Sequence, residues 1–434
     1  MTQQPLELGP TARIARDLIR FDTTNWGEGK SNGEADAAEY VVNILRDLDL
    51  VPRTFESAPG RVTVVVDVPG SDETLPKLVV HGHLDVVPAD AANWSVDPFG
   101  GEVRDGMLWG RGAVDMKNMC AMMLVALQRM HAEGVRPRRG LIVVFFADEE
   151  NGGKYGSHFL VTKHPEVFAG ATEAISEVGG YSVTFAGQRS YLLQTAEKAL
   201  IWMKLRARGT AAHGSQVMRD NALTKLARAV VALGEHEFPV VLTDTTERLI
   251  EEIRAITGAD ASVSADDVAT SIGSASRFIR ATLRTTANPT QLDAGYKHNV
   301  IPDVAEARID VRPLPGRESE TLATIQEIVG DEIEIEIVTQ DVGLEQPFEG
   351  ELVEAMISAL QQHDPGAPVL PYMLSGGTDN KALSELGIKG YGFAPLQLPP
   401  ELDFAAMFHG VDERVPLESL EFGTEVLTDL LKQY

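Results

Sequence analysis

Hydrophobic residues in the first part of the chain alternate between helical and strand-like spacings. Residues 34–48 place apolar side chains three and four positions apart, which predicts an amphipathic helix. Short apolar runs at 61–68, 77–80 and 141–147 predict buried strands, and the apolar-rich segment 116–131 predicts a long helix. Nearly continuous hydrophobic strands that alternate with helices are typical of an α/β domain with a mostly parallel sheet covered on both faces.

The pattern changes after about residue 190, where paired strand-like segments and fewer helices follow. The predicted elements of this region are strands at 190–196, 200–208, 280–287, 304–311 and 332–338, and helices at 221–233 and 318–329. Helical patterns follow at 351–362 and from residue 417, so the α/β pattern of the first part of the chain returns. We therefore predict a catalytic domain in two parts, residues 1–189 and 342–434, with an inserted α+β domain at 190–341.

Composition and charge narrow the classes of function. The chain has 38 basic and 64 acidic residues, so its formal net charge is −26. Such an acidic surface repels phosphate groups, so neither nucleic acid nor a membrane surface is expected as a partner. Cys120 is the single cysteine, which excludes an intramolecular disulfide and zinc-finger or iron–sulfur sites. No secretory signal and no run of ~20 apolar residues is visible, so we expect a cytoplasmic protein.

Candidate chemistry lies where the predicted strands end. The strand at 77–80 runs into His83 and Asp85, and Asp85 is placed to fix the imidazole of His83 as a metal ligand. Asp115 follows Gly110 and Gly112, whose flexible backbone would let the chain approach a bound ion closely. Taken alone, Asp115 also fits the N-cap of the next helix, and His83 fits an ordinary histidine at a strand end.

More acids and a second histidine follow at similar positions. Glu149 and Glu150 come directly after a buried strand, where charges are costly unless something positive or water meets them. Glu177 ends another short strand, and His409 stands between an aromatic residue and a glycine. Each is a weak signal alone, but together they offer nitrogen and oxygen ligands on one edge of a sheet. Such a set without thiolate suits zinc, cobalt or manganese.

These motifs, in this order and spacing, resemble the dinuclear zinc family of aminoacylase, acetylornithine deacetylase, succinyl-diaminopimelate desuccinylase and carboxypeptidase G. The resemblance extends from residues 20–25 to residues 411–415. It implies a zinc-exopeptidase-like catalytic domain, with a mixed, mostly parallel sheet flanked by helices. The inserted domain is then expected to be a ferredoxin-like lid through which two subunits form a homodimer.

The resemblance also implies roles for the candidate ligands. Asp115 would bridge two divalent metal ions, most often zinc in this family. His83 and Glu177 would complete one metal site, while Glu150 and His409 would complete the other.

Further roles implied by the resemblance concern the reaction itself. Glu149 would be the general base for a water that bridges the metals, and this water would attack an amide carbonyl. Asp85 would orient His83 from behind. The peptide bond between Asp115 and Met116 is expected to be cis.

Five residues of the lid and of a later loop match motifs of the family, one with an implied catalytic role, His213, and four with implied roles in substrate binding. His213 matches the histidine that reaches into the active site of the partner subunit, and Asn299 belongs to a second lid motif. Arg312 has a planar guanidinium suited to a substrate carboxylate. Gly377 and Thr378 match the substrate-binding loop. From the residues alone, His213 would be a surface histidine and Arg312 a salt-bridged strand residue.

We therefore expect a metal-dependent hydrolase that cleaves the amide bond of N-acyl amino acids or short peptides with a free carboxylate. The family tends to have glutamate at the position of Glu177 in deacylases and aspartate in peptidases, which favours an aminoacylase or deacylase. A dipeptidase or carboxypeptidase is the alternative. An inactive metal-binding homologue and a non-hydrolytic metalloenzyme such as a lyase remain more remote alternatives.

Overall fold

The computed structural model describes residues 8–434, apart from the side chain of Ser274, and the chain forms two compact units. The first unit extends through Thr195 and resumes over Gln346–Tyr372 and Thr378–Tyr434. The second unit comprises Ala196–Glu345 and Met373–Gly377. The predicted boundaries at 189/190 and 341/342 precede the observed ones by a few residues, and the short segment Met373–Gly377 was expected in the catalytic domain.

A large mixed sheet forms the centre of the first unit. From edge to edge its main strands are Tyr181–Phe185, Gln188–Glu197, Lys389–Gly392, Ala171–Ser176, Lys77–His83, Leu141–Phe146, Arg61–Val68 and Arg53–Ala58. The four central strands pair in parallel, and the strands outside them pair antiparallel. Parallel pairing is therefore confined to the middle of the sheet. All six residues of Leu141–Phe146 are buried, as expected for a strand covered on both faces.

Helices flank this sheet, as the alternating pattern predicts. They are Pro10–Ile19, Ala35–Arg46, Lys117–Glu133, Ser157–Lys163, Glu351–His363, Asn380–Ser384 and Leu417–Gln433. Short strands complete the unit: Asn25–Gly27, Lys30–Ser31, Glu102–Arg104, Met107–Trp109 and Arg414–Pro416. The strand Val369–Leu374 begins in this unit, and its last two residues belong to the second. The helix Lys117–Glu133 contacts the strand Lys77–His83 and the helices Pro10–Ile19 and Leu417–Gln433. Its first eleven residues are buried, so this helix is part of the core.

The second unit is built on a four-stranded antiparallel sheet. Its strands lie in the order Thr286–Ala294, Val304–Arg312, Ile201–Arg208 and Ile333–Gln340. The helices Ala222–Glu235 and Glu318–Val329 connect them in the sequence strand–helix–strand–strand–helix–strand. This connectivity and strand order are those of a ferredoxin-like domain, as the resemblance implies. Alternate residues of Ile201–Arg208 are buried, which places one face of the sheet against the helices.

Part of the second unit differs from the sequence prediction. The strand predicted at 280–287 is wrong, because the helix Ser276–Thr282 occupies its first residues and the strand begins only at Thr286. The helices Asp244–Thr257 and Ala265–Thr270 were not predicted, although Thr243 forms a capping box with Thr246. The short strands Ala212–His213, Val300–Ile301 and Leu344–Glu345 complete the unit. Among residues 8–434, no helix is both long and apolar enough to cross a membrane.

Candidate metal centre and active site

Three parallel strands of the first unit deliver candidate ligands at the same edge of the sheet. His83 is the last residue of Lys77–His83, Glu149 and Glu150 lie in the turn after Leu141–Phe146, and Glu177 follows Ala171–Ser176. Ligands of open α/β sheets bind beyond the carboxyl ends of the strands. The sheet thus brings together residues that are far apart in sequence.

One group of donors surrounds the Nε2 atom of His83. This atom lies 3.2 Å from Oδ1 of Asp115, 3.6 Å from Oε2 of Glu177 and 3.8 Å from Oε2 of Glu149. His83 is buried, with 1% of its surface exposed. The geometry places an imidazole and three carboxylates around one point.

A second group of donors surrounds Nε2 of His409. This atom lies 3.3 Å from Oδ2 of Asp115 and 3.0 Å from Oε2 of Glu150. The two oxygens of Asp115 therefore face different imidazoles, which is the arrangement needed for a bridging carboxylate. His409 is the most accessible of these side chains, with 59% of its side-chain surface exposed.

The protonation energetics of this cluster indicate that cations belong in it. Burial and then the charge of neighbouring carboxylates raise the pKa of Glu149 well above its ordinary value, against the opposing charge of His83. Burial likewise raises the pKa of Glu177 to about 8. Hydrogen bonds to Asp115 and Glu150 raise the pKa of His409 to about 10. Buried carboxylates at this density are costly without compensating positive charge, and nitrogen and oxygen donors suit divalent ions. The residues present therefore fit a metal centre.

Asp85 supports the site in a way that differs from the sequence prediction. The Nδ1 atom of His83 lies 2.9 Å from the backbone oxygen of Asp85 and 3.5 Å from its carboxylate, so the backbone is the nearer acceptor. The Asp85 carboxylate instead accepts the backbone N–H groups of Glu149 at 3.1 Å and of Glu150 at 3.2 Å. Asp85 therefore fixes the turn that carries both glutamates as well as the orientation of His83.

Sequence reasoning missed a buried polar network behind this turn. The amide nitrogen of Asn25 donates to Asp85 at 2.9 Å and to Asp148 at 3.0 Å. Arg61 lies 2.9 Å from both Glu34 and Asp148, and it is buried with them. Arg61 begins a predicted buried strand and Glu34 begins a predicted helix, so their residue types at these positions were the available signal.

The loop before Asp115 also differs from expectation. Gly112 has a φ of +86°, which favours glycine, and its N–H donates to the carboxylate of Glu413 at 3.0 Å. Glycine is needed here for this φ and because a Cβ would lie within about 3 Å of side-chain atoms of Lys117 and Val86. Asp115 is not the N-cap of the following helix, because Met116 holds that position. The peptide bond between Asp115 and Met116 is cis, which confirms the expectation.

Strained backbone accompanies the candidate ligands. Asp148, Val178 and His409 have φ values of 66°, 60° and 57°, in the left-handed region. This conformation is unfavourable for a β-branched residue such as valine. Each residue stands beside or within a ligand position, and strain of this kind concentrates at functional sites.

The second unit contains His213 and Asn299 next to each other. The short strands Ala212–His213 and Val300–Ile301 pair, and the N–H of Gly214 donates to the backbone oxygen of Asn299 at 2.9 Å. His213 is exposed, and its Nδ1 atom accepts the backbone N–H of Ser215 at 3.3 Å. Nδ1 also lies 2.8 Å from Oγ of Ser215, so Ser215 contacts this ring nitrogen through both its backbone and its side chain.

The remaining predicted substrate-binding residues have different surroundings. Arg312 in the second unit donates from Nε and Nη2 to the carboxylate of Asp310 at 2.7 and 3.1 Å. This is the salt-bridged arrangement that its position in a strand suggests. Gly377 ends the short segment of the second unit, and Thr378 begins the last segment of the first. Thr378 is buried, and its Oγ1 accepts the N–H of Asn380 at 3.2 Å.

Comparisons with a family model and with known proteins point to the same family. Residues 79–433 match peptidase family M20/M25/M40. The chain is 27% identical to the N-fatty-acyl-amino acid synthase/hydrolase PM20D1 of Xenopus tropicalis, over 96% of this chain and 84% of that protein. It is 26% identical to aminoacylase-1 of Homo sapiens, over 98% of this chain and 96% of that protein.

Solved structures with low sequence identity share the fold. An M20 family metallo-carboxypeptidase from Sulfolobus solfataricus aligns with a TM-score of 0.77 and 17% identity, over 98% of this chain and 99% of that one. The di-peptidase Dug1p from Saccharomyces cerevisiae aligns with a TM-score of 0.71 and 15% identity, over 97% and 95%. The YXEP protein of Bacillus subtilis, a dinuclear metal-binding peptidase, has a TM-score of 0.58 and 12% identity, over 97% and 96%.

The chain belongs to peptidase family M20/M25/M40. It is a hydrolase that acts on peptide or other amide bonds, and the predicted fold class and family are confirmed. The family is dinuclear and metal-dependent, and the residues around Asp115 are the candidates for its metal centre in this chain.

Proposed function

We propose that this protein is an aminoacylase that hydrolyses N-acyl amino acids with a free carboxylate, using two zinc ions. The observation that carries this proposal is its similarity, over nearly the whole chain, to aminoacylase-1 and to an N-fatty-acyl-amino acid synthase/hydrolase. Glutamate at position 177 supports the deacylase assignment, since the family's peptidases tend to have aspartate there.

In the proposed metal centre Asp115 would bridge the two ions. His83 and Glu177 would hold one ion, and Glu150 and His409 would hold the other. The opposed orientation of the two Asp115 oxygens, at 3.2 and 3.3 Å from the two imidazoles, supports this assignment. Two bound divalent ions would lower the pKa of a shared water and polarise the scissile carbonyl.

Glu149 is the proposed general base. It lies beside the first donor group, and its backbone is fixed through the carboxylate of Asp85. Its carboxylate accepts a proton from the attacking water and returns it to the leaving amine. A base that must both accept and release a proton needs a pKa near the working pH. Burial raises the pKa of Glu149, and divalent cations held by the neighbouring ligands would lower it towards the working pH.

Residues of the second unit, with Thr378, are proposed to recognise the substrate. The exposed imidazole of His213 is suited to stabilise a tetrahedral oxyanion through an Nε2–H group. Asn299 and Gly377 offer further polar contacts to the substrate. Arg312 would bind the substrate carboxylate. Its guanidinium would then either donate to both carboxylates or break its hydrogen bonds to Asp310.

We also propose a homodimer in which His213 serves the active site of the partner subunit. Mixing His213→Ala protein with Glu149→Gln protein should then restore part of the activity, because a mixed dimer contains one site with both intact residues. Zero recovery, after subunit exchange has been demonstrated with two affinity tags, would contradict the role across subunits.

Cytoplasmic location is part of the proposal and is supported by the absence of a cysteine pair.

A dipeptidase or carboxypeptidase is the second candidate, because solved peptidases of the family share the fold at TM-scores of 0.71 and 0.77. Amine release from matched panels of N-acyl amino acids and dipeptides separates the two candidates. The protein should be reconstituted with zinc, with a chelator-treated sample as control. Cleavage confined to N-acyl amino acids is expected, whereas a preference for dipeptides would overturn the aminoacylase assignment. Chelator-insensitive cleavage would contradict the role of the metals.

A further inference from the structure

Glu413 is a buried carboxylate of the first unit that none of the proposed catalytic steps uses. It has 0% of its surface exposed and lies four residues after His409. Its Oε1 atom accepts the N–H groups of Val114 at 2.7 Å and of Asp115 at 3.1 Å. Its Oε2 atom accepts the N–H of Gly112 at 3.0 Å. One carboxylate therefore accepts three backbone N–H groups within the four residues that end at Asp115.

Arg111 connects Glu413 to the loop that carries His409. Its Nη1 atom donates to Oε2 of Glu413 at 2.7 Å, and its Nη2 atom donates to the backbone oxygen of Gly410 at 2.9 Å. Gly410 directly follows His409, so the fork of one guanidinium fixes the residue next to a proposed ligand. Arg111 is also buried and lies over the ring of Trp94, 5.1 Å from its centroid.

The loop of His409 needs such support. His409 has a positive φ and a largely exposed side chain, so neither preferred backbone geometry nor packing alone determines its position. A buried charged pair with several good hydrogen bonds, such as that of Arg111 and Glu413, gives a defined geometry, although its net contribution to stability is small. A bridging ligand and a terminal ligand on two separate loops must be held at a fixed separation to bind two ions.

We propose that Glu413 and Arg111 are positioning residues that couple the bridging Asp115 to His409, and so set the affinity of the second metal ion. This inference rests on the metal ligands proposed above. Glu413 orders the loop of Asp115, and Arg111 transmits that order to the loop of His409. Residues that orient metal ligands in this way typically contribute about 10–100-fold to metal affinity.

Two variants separate the parts of this coupling. Arg111→Lys keeps a cation beside Glu413, but a single ammonium cannot reproduce the fork between Glu413 and Gly410. It should weaken the binding of the ion at His409 by about 10–100-fold and leave the other ion within about threefold. Both oxygens of Glu413 accept backbone N–H groups, so Glu413→Gln places an amide NH₂ opposite one of these donors. The loop of Asp115 should then be less ordered, and the affinity for both ions should fall.

The measurement is zinc binding by competition with a chromophoric chelator, which gives two stepwise dissociation constants. A His409→Ala protein identifies which constant belongs to the His409 site. Arg139→Lys is the matched control, because Arg139 is likewise buried, paired with Glu351 and placed over an aromatic ring, that of Tyr434. It should retain both constants. Circular dichroism of the chelated proteins checks that each variant is folded, and if Glu413→Gln does not fold, Arg111→Lys alone decides.

Unchanged constants in folded Arg111→Lys protein would overturn the coupling, and so would equal weakening of both ions. A similar loss in Arg139→Lys would overturn it as well, because the effect would then be a general consequence of destabilisation. If the unchanged protein bound fewer than two ions, the proposed metal centre itself would fail. The two failures are therefore distinguishable.

Discussion

Replacing Asp85 by asparagine tests whether one buried carboxylate fixes the turn that carries the proposed base. Its two oxygens accept the backbone N–H groups of Glu149 and Glu150 at 3.1 and 3.2 Å, and one of them also accepts the Asn25 amide at 2.9 Å. Asparagine has the same shape but offers one acceptor and one donor. Because Oδ2 receives two of these bonds, the new carbonyl should take that position. The new NH₂ group would then face the N–H of Glu149.

The expected loss follows from these contacts. A hydrogen bond to a charged acceptor contributes about 1.5–3 kcal/mol, and a buried donor left without a partner costs about 1–3 kcal/mol. These contributions overlap, so we expect Asp85→Asn to lower the free energy of unfolding by about 2–3 kcal/mol. Metal affinity should fall about 10–100-fold, since Asp85 also orients the turn of Glu150 and the imidazole of His83.

Urea unfolding of the chelator-treated proteins measures the stability change without the contribution of bound metal. Asp67→Asn is the matched control, because Asp67 belongs to the same unit but its side chain is 45% exposed and pairs with Arg53 and Lys77 at the surface. Exposed pairs contribute about 0–1 kcal/mol. If Asp85→Asn lost no more stability than Asp67→Asn, the role of the carboxylate as an anchor for both backbone groups would be refuted.

Two further predictions address substrate binding and stability. Arg312→Lys should raise KM for N-acyl amino acids at least about tenfold and change kcat less, because lysine keeps the charge but loses the bidentate geometry; steady-state kinetics check this, and an unchanged KM would contradict it. Asp364 accepts hydrogen bonds from Arg189 at 3.0 Å and Tyr191 at 2.9 Å, and these partners outweigh burial and lower its pKa. A lowered pKa stabilises the fold above the unfolded value of about 3.9, and this contribution is lost as pH falls through the folded value. Asp364→Asn should therefore lower the free energy of unfolding by about 1–2 kcal/mol at pH 7. Urea titrations should show that the difference in this free energy between the variant and the unchanged protein shrinks below about pH 4. A difference that stays constant with pH would contradict this.

The sequence predicted an element correctly where one spacing of hydrophobic residues, either helical or strand-like, dominated. The strand predicted at 61–68 is observed as Arg61–Val68, and the helix predicted at 318–329 as Glu318–Val329. Hydrophobic runs that are buried on both faces leave little alternative. The error at 280–287 arose because a short segment with three threonines and two arginines fits either the end of a helix or a strand, and only packing decides.

The meeting of His83, Glu150 and Glu177 was predictable because parallel strands end at a common edge. The supporting residues were not, because their partners are distant in sequence. Glu413 and Asp115 are joined by a hydrogen bond between residues 298 positions apart, and Arg61 and Asp148 are 87 positions apart. No local spacing encodes such pairs. The glycines before Asp115 carried a signal, but the atoms that approach them closely, from Ile19, Pro98, Lys117 and Val86, are known only from the fold.

The most direct test of the proposed two-metal hydrolysis is zinc content and turnover measured together on Glu149→Gln protein. The substitution keeps the shape of the side chain and the backbone hydrogen bond to Asp85, but it removes the proton acceptor. The matched control is Glu385→Gln, which changes an exposed glutamate of the same unit that pairs with His158. We predict two zinc ions per chain in both proteins, with turnover at least about 100-fold lower only in Glu149→Gln. Near-normal turnover of Glu149→Gln protein that retains both ions would contradict the account.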